Sequence, residues 1–340
     1  MRPCPPRHRA AGADPFVGRF VLHRLLHLIP VLLGISLLTF LVMHLAPGDF
    51  LSQMEVNPQI SPETIASMRE RFGLDRPWPV QYLLWLKNVF LRADFGESFS
   101  RHQPVFQVLA PAAFNSLGLA LAAACITWIL ALPLGILAAV KRNTWVDRSA
   151  SLVAVLGISV PEVFLALLLL FLAARTGWFP LGGMVSLDHD SLSWGGKVLD
   201  RLHHLVLPAV ILATVPLASR MRQMRGSLLE VLRADYVTTA RAKGLPESKV
   251  ILKHAVRNAL NPLVTLFGYT LGGLLSGAFL VEVILSWPGL GRVTLDALLT
   301  RDLYLIMGAV LMASSVLVLG NLIADLLLLA VDPRLRTEGA

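Results

Sequence analysis

The residue types that most often perform catalysis occur in this chain, but their spacing does not build a catalytic or metal-binding motif. Its nine histidines are scattered, and the adjacent pair His203 and His204 cannot face one metal ion from a regular helix. Neither the phosphate-binding pattern G-x-x-x-x-G-K-[ST] nor a nucleophile elbow occurs. We therefore do not expect this chain to be an enzyme, or to hold a nucleotide or another cofactor by itself.

Three carboxylates lie inside long apolar stretches, where an ionisable group is costly and is a functional candidate by default. Glu162 directly follows Pro161, at a point where a broken helix could line a cavity, and we take both as candidates for the wall of a pathway across the membrane. The alternative is that Glu162 stabilises the kink by accepting hydrogen bonds from freed N–H groups. Glu282 and Asp325 lie near the ends of their stretches, which favours anchoring or interhelical hydrogen bonds.

The composition explains why such stretches are common. Hydrophobic residues make up 55% and charged residues 15% of the 340 residues, whereas soluble proteins carry about 25% charged residues. This excludes a disordered chain, which needs low hydrophobicity and high charge. A disulfide scaffold is excluded because Cys4 and Cys125 could form at most one bridge. An integral membrane protein remains.

Six apolar stretches approach the roughly 20 residues that a helix needs to cross a bilayer. They are residues 25–46, 114–140, 150–174, 202–219, 259–286 and 304–331. The fourth is the weakest, because it is short and contains Pro208 and Pro216. The first exceeds the usual signal-peptide core of about 7–15 residues and lacks a cleavage site, so it reads as a span. The sequence therefore predicts an all-α polytopic membrane protein with six transmembrane helices.

The basic residues indicate the orientation of these spans through the positive-inside rule. Loop 220–258 contains nine Lys and Arg residues, whereas loop 47–113 contains six basic and seven acidic residues. The rule places loop 220–258, loop 141–149 and both tails (1–24 and 332–340) in the cytoplasm. The net charge of +8 thus reflects topology and gives no support to nucleic-acid binding.

The outer loop 47–113 contains local helix signals. Ser61-Pro62-Glu63 combines a capping residue, a proline suited to the first helical position and an acid that complements the helix dipole. Gly73 can end that helix, and residues 80–90 form a second helical pattern. We expect a small folded cap rather than a structureless loop.

Loop 220–258 carries most of the functional information. Residues 227–243 follow a helical pattern, Gly244 is a natural left-handed stop, and Leu245-Pro246-Glu247 restarts a helix that continues into the fifth span. Three interpretations compete. A DNA-binding helix-turn-helix is disfavoured because membrane spans flank it closely; an amphipathic helix could lie on anionic lipid; a docking helix could insert into a partner protein.

The residues around Gly244 resemble a known family. The run from Tyr236 to Leu245, YVTTARAKGL, is similar to the coupling ("EAA") loop of ABC importer permeases, and most closely to the first permease of the oligopeptide/dipeptide/nickel family. Thr238 and Thr239 stand where the general signature has Glu and Ala, whereas Ala240 and Gly244 match it. Further family motifs occur in order at 28–34, 46–49, 72–77, 94–98, 157–161, 287–292, 301–302, 321–325 and 332–336. Only residues 1–18 look unmatched.

The resemblance implies a type I ABC importer permease fold, with span 25–46 followed by loop 47–113 and a five-helix core at 114–331. It implies a bacterial inner-membrane subunit, surrounded by lipid, that forms half of a translocation pathway with a second homologous permease. Two ATPase subunits would hold ATP and Mg²⁺, and an extracytoplasmic binding protein would deliver cargo. The residues it assigns to ATPase coupling are Ala234, Asp235, Tyr236, Thr239, Ala240, Arg241, Ala242, Lys243, Gly244 and Leu245.

The family resemblance favours di- or oligopeptides as cargo, with nickel, glutathione or another small solute as alternatives. A stand-alone secondary transporter or channel is the alternative from a different class. It would depend on an ion gradient, and the long basic docking loop and the lack of a visible inverted repeat argue against it.

Three smaller features complete the expectations. Asp188-His189-Asp190 could attract a cationic substrate or could simply be a solvated loop. Asn115 and Asn321 are expected to join neighbouring helices. Gly272-Gly273 with Ser276-Gly277 is expected to allow close helix packing, with the partner permease as one candidate surface.

Overall fold

The computed structural model describes residues 15–48, 50–55 and 61–331. Sequence predictions for the first fourteen residues, for Asp49 and for the C-terminal tail from 332 onward fall outside the described residues. Within them the chain is helical except for one short hairpin and the connecting turns.

The elements follow one another along the chain without long gaps. The outer segment and first spans are α1 (Pro15–Leu45), α2 (Phe50–Glu55), α3 (Pro62–Arg71), α4 (Trp78–Arg92), the antiparallel strands β1 (Glu97–Ser98) and β2 (Gln103–Pro104), α5 (Val105–Val140), α6 (Trp145–Ser159) and α7 (Glu162–Thr176). A 3₁₀ turn (His189–Ser191) precedes α8 (Trp194–Val231), α9 (Asp235–Ala242), α10 (Glu247–Lys249), a π-helical segment (Val250–Val256), α11 (Arg257–Ala259), α12 (Asn261–Ile284), α13 (Leu290–Leu299) and α14 (Leu303–Val331).

The all-α membrane prediction is confirmed. Among the described residues, α1, α5, α8 and α14 are each long and apolar enough to cross a bilayer, and the bent pair α6–α7 makes a fifth candidate if it is counted as one span. Helix α12, which is 24 residues long, occupies the position of the predicted fifth span.

At three places the helices differ in extent from the apolar stretches read from the sequence. Helix α5 begins at Val105 rather than at 114, because its first turns pack against α14 through the buried side chains of Val105 and Leu109. Helix α8, which was predicted as the weakest span, is 38 residues long. Its polar ends are also helical, but polar residues do not raise the hydropathy from which a span is recognised in the sequence. The third span is not continuous: it breaks at Val160 and Pro161 and bends by 105°.

The segment predicted to form a cap is folded, as expected, into α3, α4 and the β1–β2 hairpin. Ser61 caps α3 by accepting a hydrogen bond from the Thr64 N–H at 3.3 Å, and Gly73 adopts the left-handed conformation. The buried Asp302 carboxylate at the start of α14 accepts hydrogen bonds from the Ser98 and Ser100 hydroxyls at 2.6 and 2.9 Å. The cap is therefore fastened to the last span.

Helices α5 and α8 form the centre of the fold and pack along much of their length. The contact is close because the facing residues are small: a side chain at Gly135 would collide with the Met221 carbonyl and the Met224 side chain. Helix α14 packs against both α1 and α12. Beyond this core, the C-terminal extension of α8 positions the loop that joins it to α12.

Candidate coupling site and broken span

The predicted continuous helix over 227–243 is in fact two helices. Helix α8 ends at Val231, the turn 232–234 follows, and Ala234 is extended at the start of α9. The turn satisfies its own backbone: the Leu232, Arg233 and Ala234 N–H groups bond to carbonyls of the last turns of α8. Asp235 then stands in the first turn of α9, where a carboxylate complements the helix dipole.

Helix α9 has two different faces. Val237 and Ala240 are buried, with exposed fractions of 0% and 7%, in a cluster that includes Met224 and Leu228 of α8 and Val250. The remaining positions of α9 point to solvent, and Leu245 and Ala234 are half-buried. The exposed members of the predicted coupling set are Asp235, Tyr236, Thr239, Arg241, Ala242, Lys243 and Gly244.

Gly244 ends this helix as predicted. Its φ is +75°, a conformation that costs an L-residue about 1–2 kcal/mol, and its N–H bonds to the Arg241 carbonyl at 2.9 Å. Among the described residues, no atom lies within 4 Å of where a Cβ would stand. The requirement for glycine here comes from the backbone conformation and not from lack of space.

Two polar contacts hold the ends of the loop. Arg241 donates to Glu247 through Nε and Nη2, at 3.1 and 2.8 Å, which lowers the pKa of the Glu247 carboxyl and raises the pKa of the Arg241 guanidinium. Asn258 Nδ2 donates to the Tyr236 hydroxyl at 2.8 Å. The sequence pattern did not reveal either contact, and together they join α9 to α10 and α11.

The connection from α10 to α11 is a π-helical segment, Val250–Val256. We predicted an ordinary helix here, because apolar residues spaced three and four apart suit both helix types over a single short run. Val250, Ala255 and Val256 are buried against α8 and α9. Single-turn π segments occur frequently at functional sites in proteins.

The break in the third span places Pro161 and Glu162 as the sequence suggested. Pro161 is extended, and α7 begins at Glu162. The Glu162 Oε1 atom is buried without a hydrogen-bond partner among the described residues, so this oxygen does not cap the kink. The pathway interpretation of Glu162 is therefore the one we carry forward.

Two family models match most of this chain. Residues 131–337 match the family model of the binding-protein-dependent transport system inner membrane component, and residues 17–120 match the model of its N-terminal region. The chain belongs to this family. The permease is 38% identical over 321 residues to the oligopeptide transport system permease protein AppB of Bacillus subtilis, a match that covers 94% of this chain and 99% of that protein.

Two further relatives show the same full-length similarity. The permease is 40% identical over 335 residues to the dipeptide transport system permease protein DppB of Escherichia coli K12, covering 94% of this chain and 98% of the relative. It is 38% identical over 336 residues to the di/tripeptide permease DppB of Pseudomonas aeruginosa, covering 94% and 99%. The similarity therefore extends over the outer cap, the spans and the α9 loop together.

The interhelical role expected for the other two membrane carboxylates is confirmed. Glu282 of the permease is buried, accepts a hydrogen bond from the Ser116 hydroxyl, and accepts another from the Gly291 N–H at 2.7 Å. It thereby joins α5, α12 and the start of α13. Asp325 forms an ion pair with Arg24 at 2.8 Å, which joins α14 to α1.

A cavity of about 260 Å³ lies beside Glu282, between α5, α12, α13 and α14. Its wall is mostly apolar and includes the hydroxyl-bearing residues Ser276 and Ser314. Because both Glu282 oxygens already accept hydrogen bonds from the protein, this carboxylate holds the helices together. The sequence reading did not predict this cavity.

Two expectations require correction. His189 is not solvated: it is 8% exposed, and its Nδ1 lies 2.7 Å from the Asp200 carboxylate, so only its acidic neighbours face outward. Gly272 does allow close helix packing, but its neighbour is α14 of the same chain rather than a partner protein, because a side chain there would collide with Asn321. Asn115, as expected, joins elements: its Nδ2 donates to the Pro288 carbonyl at 2.8 Å.

Proposed function

We propose that this permease is the transmembrane subunit of an ATP-driven importer for di- and oligopeptides. The observation that carries the proposal is that α9 has two different faces: Val237 and Ala240 are buried against its own chain, whereas the opposite face is mostly polar and exposed. Such a helix suits insertion into a partner protein. The relatives described above are named as peptide permeases, which supports a peptide cargo.

The partners follow from the family and the arrangement of the chain. A second homologous permease would complete the pathway, two ATPase subunits would bind α9 and its equivalent and hold ATP and Mg²⁺, and an extracytoplasmic binding protein would deliver the cargo. The charge pattern supports a cytoplasmic location for both termini and for the α9 loop. The fastened outer cap would then lie on the side that receives the binding protein.

The mechanism proposed is alternating access driven by the ATPases. Closure of the ATPase dimer displaces α9, and the buried contacts of Val237 and Ala240 with Met224 and Leu228 pass this displacement to α8. A packed interface of this kind transmits a rigid-body movement because it is not continuously deformable. Glu162, whose Oε1 atom has no hydrogen-bond partner in the part of the chain that the structure describes, is the proposed pathway-lining group.

The alternatives differ in what energises uptake and in what is carried. A secondary transporter would depend on the ion gradient and would not need an ATPase. Nickel, glutathione or another solute would leave the coupling architecture unchanged and alter only the cargo.

The test is uptake of ¹⁴C-labelled alanyl-alanine by a strain that lacks this gene and by the complemented strain. We expect uptake only in the complemented strain, inhibition by ATP depletion and orthovanadate, and resistance to a protonophore. Competition with longer peptides, nickel and glutathione defines the cargo. Uptake that a protonophore abolishes while ATP remains would contradict the proposal, and vanadate-sensitive uptake of nickel alone would contradict only the peptide assignment.

A further inference from the structure

A partly buried ion pair connects the extension of α8 to the beginning of α6. Arg225 Nε donates to Asp147 Oδ1 at 2.6 Å, and Arg225 Nη2 donates to Asp147 Oδ2 at 2.9 Å. The side chains are 29% and 5% exposed. This two-pronged geometry fixes both position and direction, because the planar guanidinium matches the carboxylate edge.

The pair stands at the junction of the coupling site and the broken span. Arg225 directly follows Met224, which belongs to the buried cluster under α9. Asp147 lies in the first turn of α6, the helix that ends at the break before Glu162. The Asn143 N–H also donates to Asp147 Oδ2 at 2.9 Å, so the carboxylate is held from the loop that precedes α6 as well.

The remaining contact between α6 and α8 is a narrow seam of small residues. Ala154 is buried against Ala218 and Met221, and a side chain at Gly157 would lie 3.3 Å from the Ala218 Cβ. In the sequence of α6, only Asp147 and Ala154 are buried. Contacts between small apolar side chains give little resistance when α6 slides along α8. The ion pair resists such a displacement because it fixes one point of α6 to α8.

We propose that Asp147 and Arg225 are positioning residues that transmit the movement of α9 to the broken span α6–α7. This inference rests on the proposed function. A displacement of α9 carries the end of α8, Arg225 carries Asp147, and α6 moves as a rod whose far end is the break at Pro161. Access to Glu162 thus changes with the state of the ATPases.

The test uses the double variant Asp147→Asn with Arg225→Gln, because it leaves no unpaired buried charge. The complete importer is reconstituted in proteoliposomes, and alanyl-alanine uptake is divided by ATP hydrolysed. We expect the assembled double variant to hydrolyse ATP while uptake per ATP falls about tenfold. A purely structural role would lower uptake and hydrolysis together, through fewer assembled complexes, and leave the ratio unchanged.

The matched control is another ion pair of this chain, Arg101 with Asp296, whose side chains are 40% and 45% exposed. Arg101→Gln with Asp296→Asn is expected to keep the wild-type ratio. If the Asp147 and Arg225 double variant does not assemble, Arg225→Lys is measured instead. Lysine keeps the positive charge but cannot form the two-pronged hydrogen bond of the guanidinium. We expect this variant to lower uptake per ATP by a smaller factor.

A wild-type ratio in the assembled double variant overturns the inference, and so does a wild-type ratio in Arg225→Lys where only that variant assembles. Wild-type importer that takes up alanyl-alanine without ATP would instead overturn the proposed function. The two failures are therefore distinguishable in one set of vesicles.

Discussion

At the scale of single residues, the α9 loop depends on a few groups whose chemistry is specific. Gly244 supplies a left-handed backbone, Arg241 and Glu247 close the loop with a charged hydrogen bond, and Asn258 holds Tyr236. Each acts through conformation or position.

Gly244→Pro is expected to uncouple ATP hydrolysis from uptake. Proline fixes φ near −65°, far from the +75° observed, and removes the N–H that bonds to Arg241. Gly244→Asn is the control, because asparagine tolerates the left-handed region and the site has space. Uptake per ATP in vesicles is the measurement. Equal ratios for wild type and Gly244→Pro would remove Gly244 from the coupling assignment.

The Glu247 carboxyl is expected to titrate below its ordinary value of 4.5, because Arg241 donates hydrogen bonds to the charged form. The contact therefore stabilises the loop above that pH and is lost as the pH falls through the lowered pKa. Carboxyl ¹³C shifts report the titration, with the Glu247 signal assigned from its absence in Glu247→Gln. The pKa should return towards 4.5 in Arg241→Gln; a pKa that does not respond to this change would show that the contact is absent in solution.

At the scale of elements, α9 has one face in the core of the chain and one exposed face. Its inner face belongs to the core of the permease, so a substitution there changes folding before it changes docking. The outer face can change docking alone. A scan of the predicted coupling residues must therefore separate Ala240 from its exposed neighbours.

Ala240→Leu is expected to destabilise the permease by about 1–3 kcal/mol, since added methylenes overpack a closed core. Thr239→Leu, on the exposed face, adds a side chain of the same final size and is expected to leave thermal stability within about 0.5 kcal/mol while weakening ATPase association. Thermal unfolding of the purified chain and co-purification of the ATPases measure the two effects. The account would be contradicted if Thr239→Leu lowered stability as much as Ala240→Leu.

At the scale of the whole molecule, local patterns and distant contacts were unequally predictable. The capped start of α3, the stop at Gly244 and the break at Pro161 could be predicted because neighbouring residues determine them. The bond from Ser98 to Asp302 and the ion pair between Asp147 and Arg225 could not, because residues far apart in sequence come together only in the folded chain.

The lengths of the helices could not be predicted from the sequence for a related reason. Hydropathy detects the part of a helix that lies in lipid, whereas α8 continues to Val231 into a polar environment. The π-helical segment Val250–Val256 was missed because seven residues do not distinguish two close helical periods. The all-α membrane class and the family could thus be predicted from sequence, and the linkage between the parts required the structure.

The most direct test of the central claim places a photo-crosslinking amino acid at Thr239, on the outer face of α9, in the assembled importer. The account predicts an adduct with an ATPase subunit, identified by mass spectrometry, whose yield changes when ATP is bound. The control position is Ser191, in the 3₁₀ turn before α8, which should form no such adduct. A transport-competent complex in which Thr239 gives no ATPase adduct, or in which Ser191 gives one, would contradict the assignment of α9 as the coupling helix.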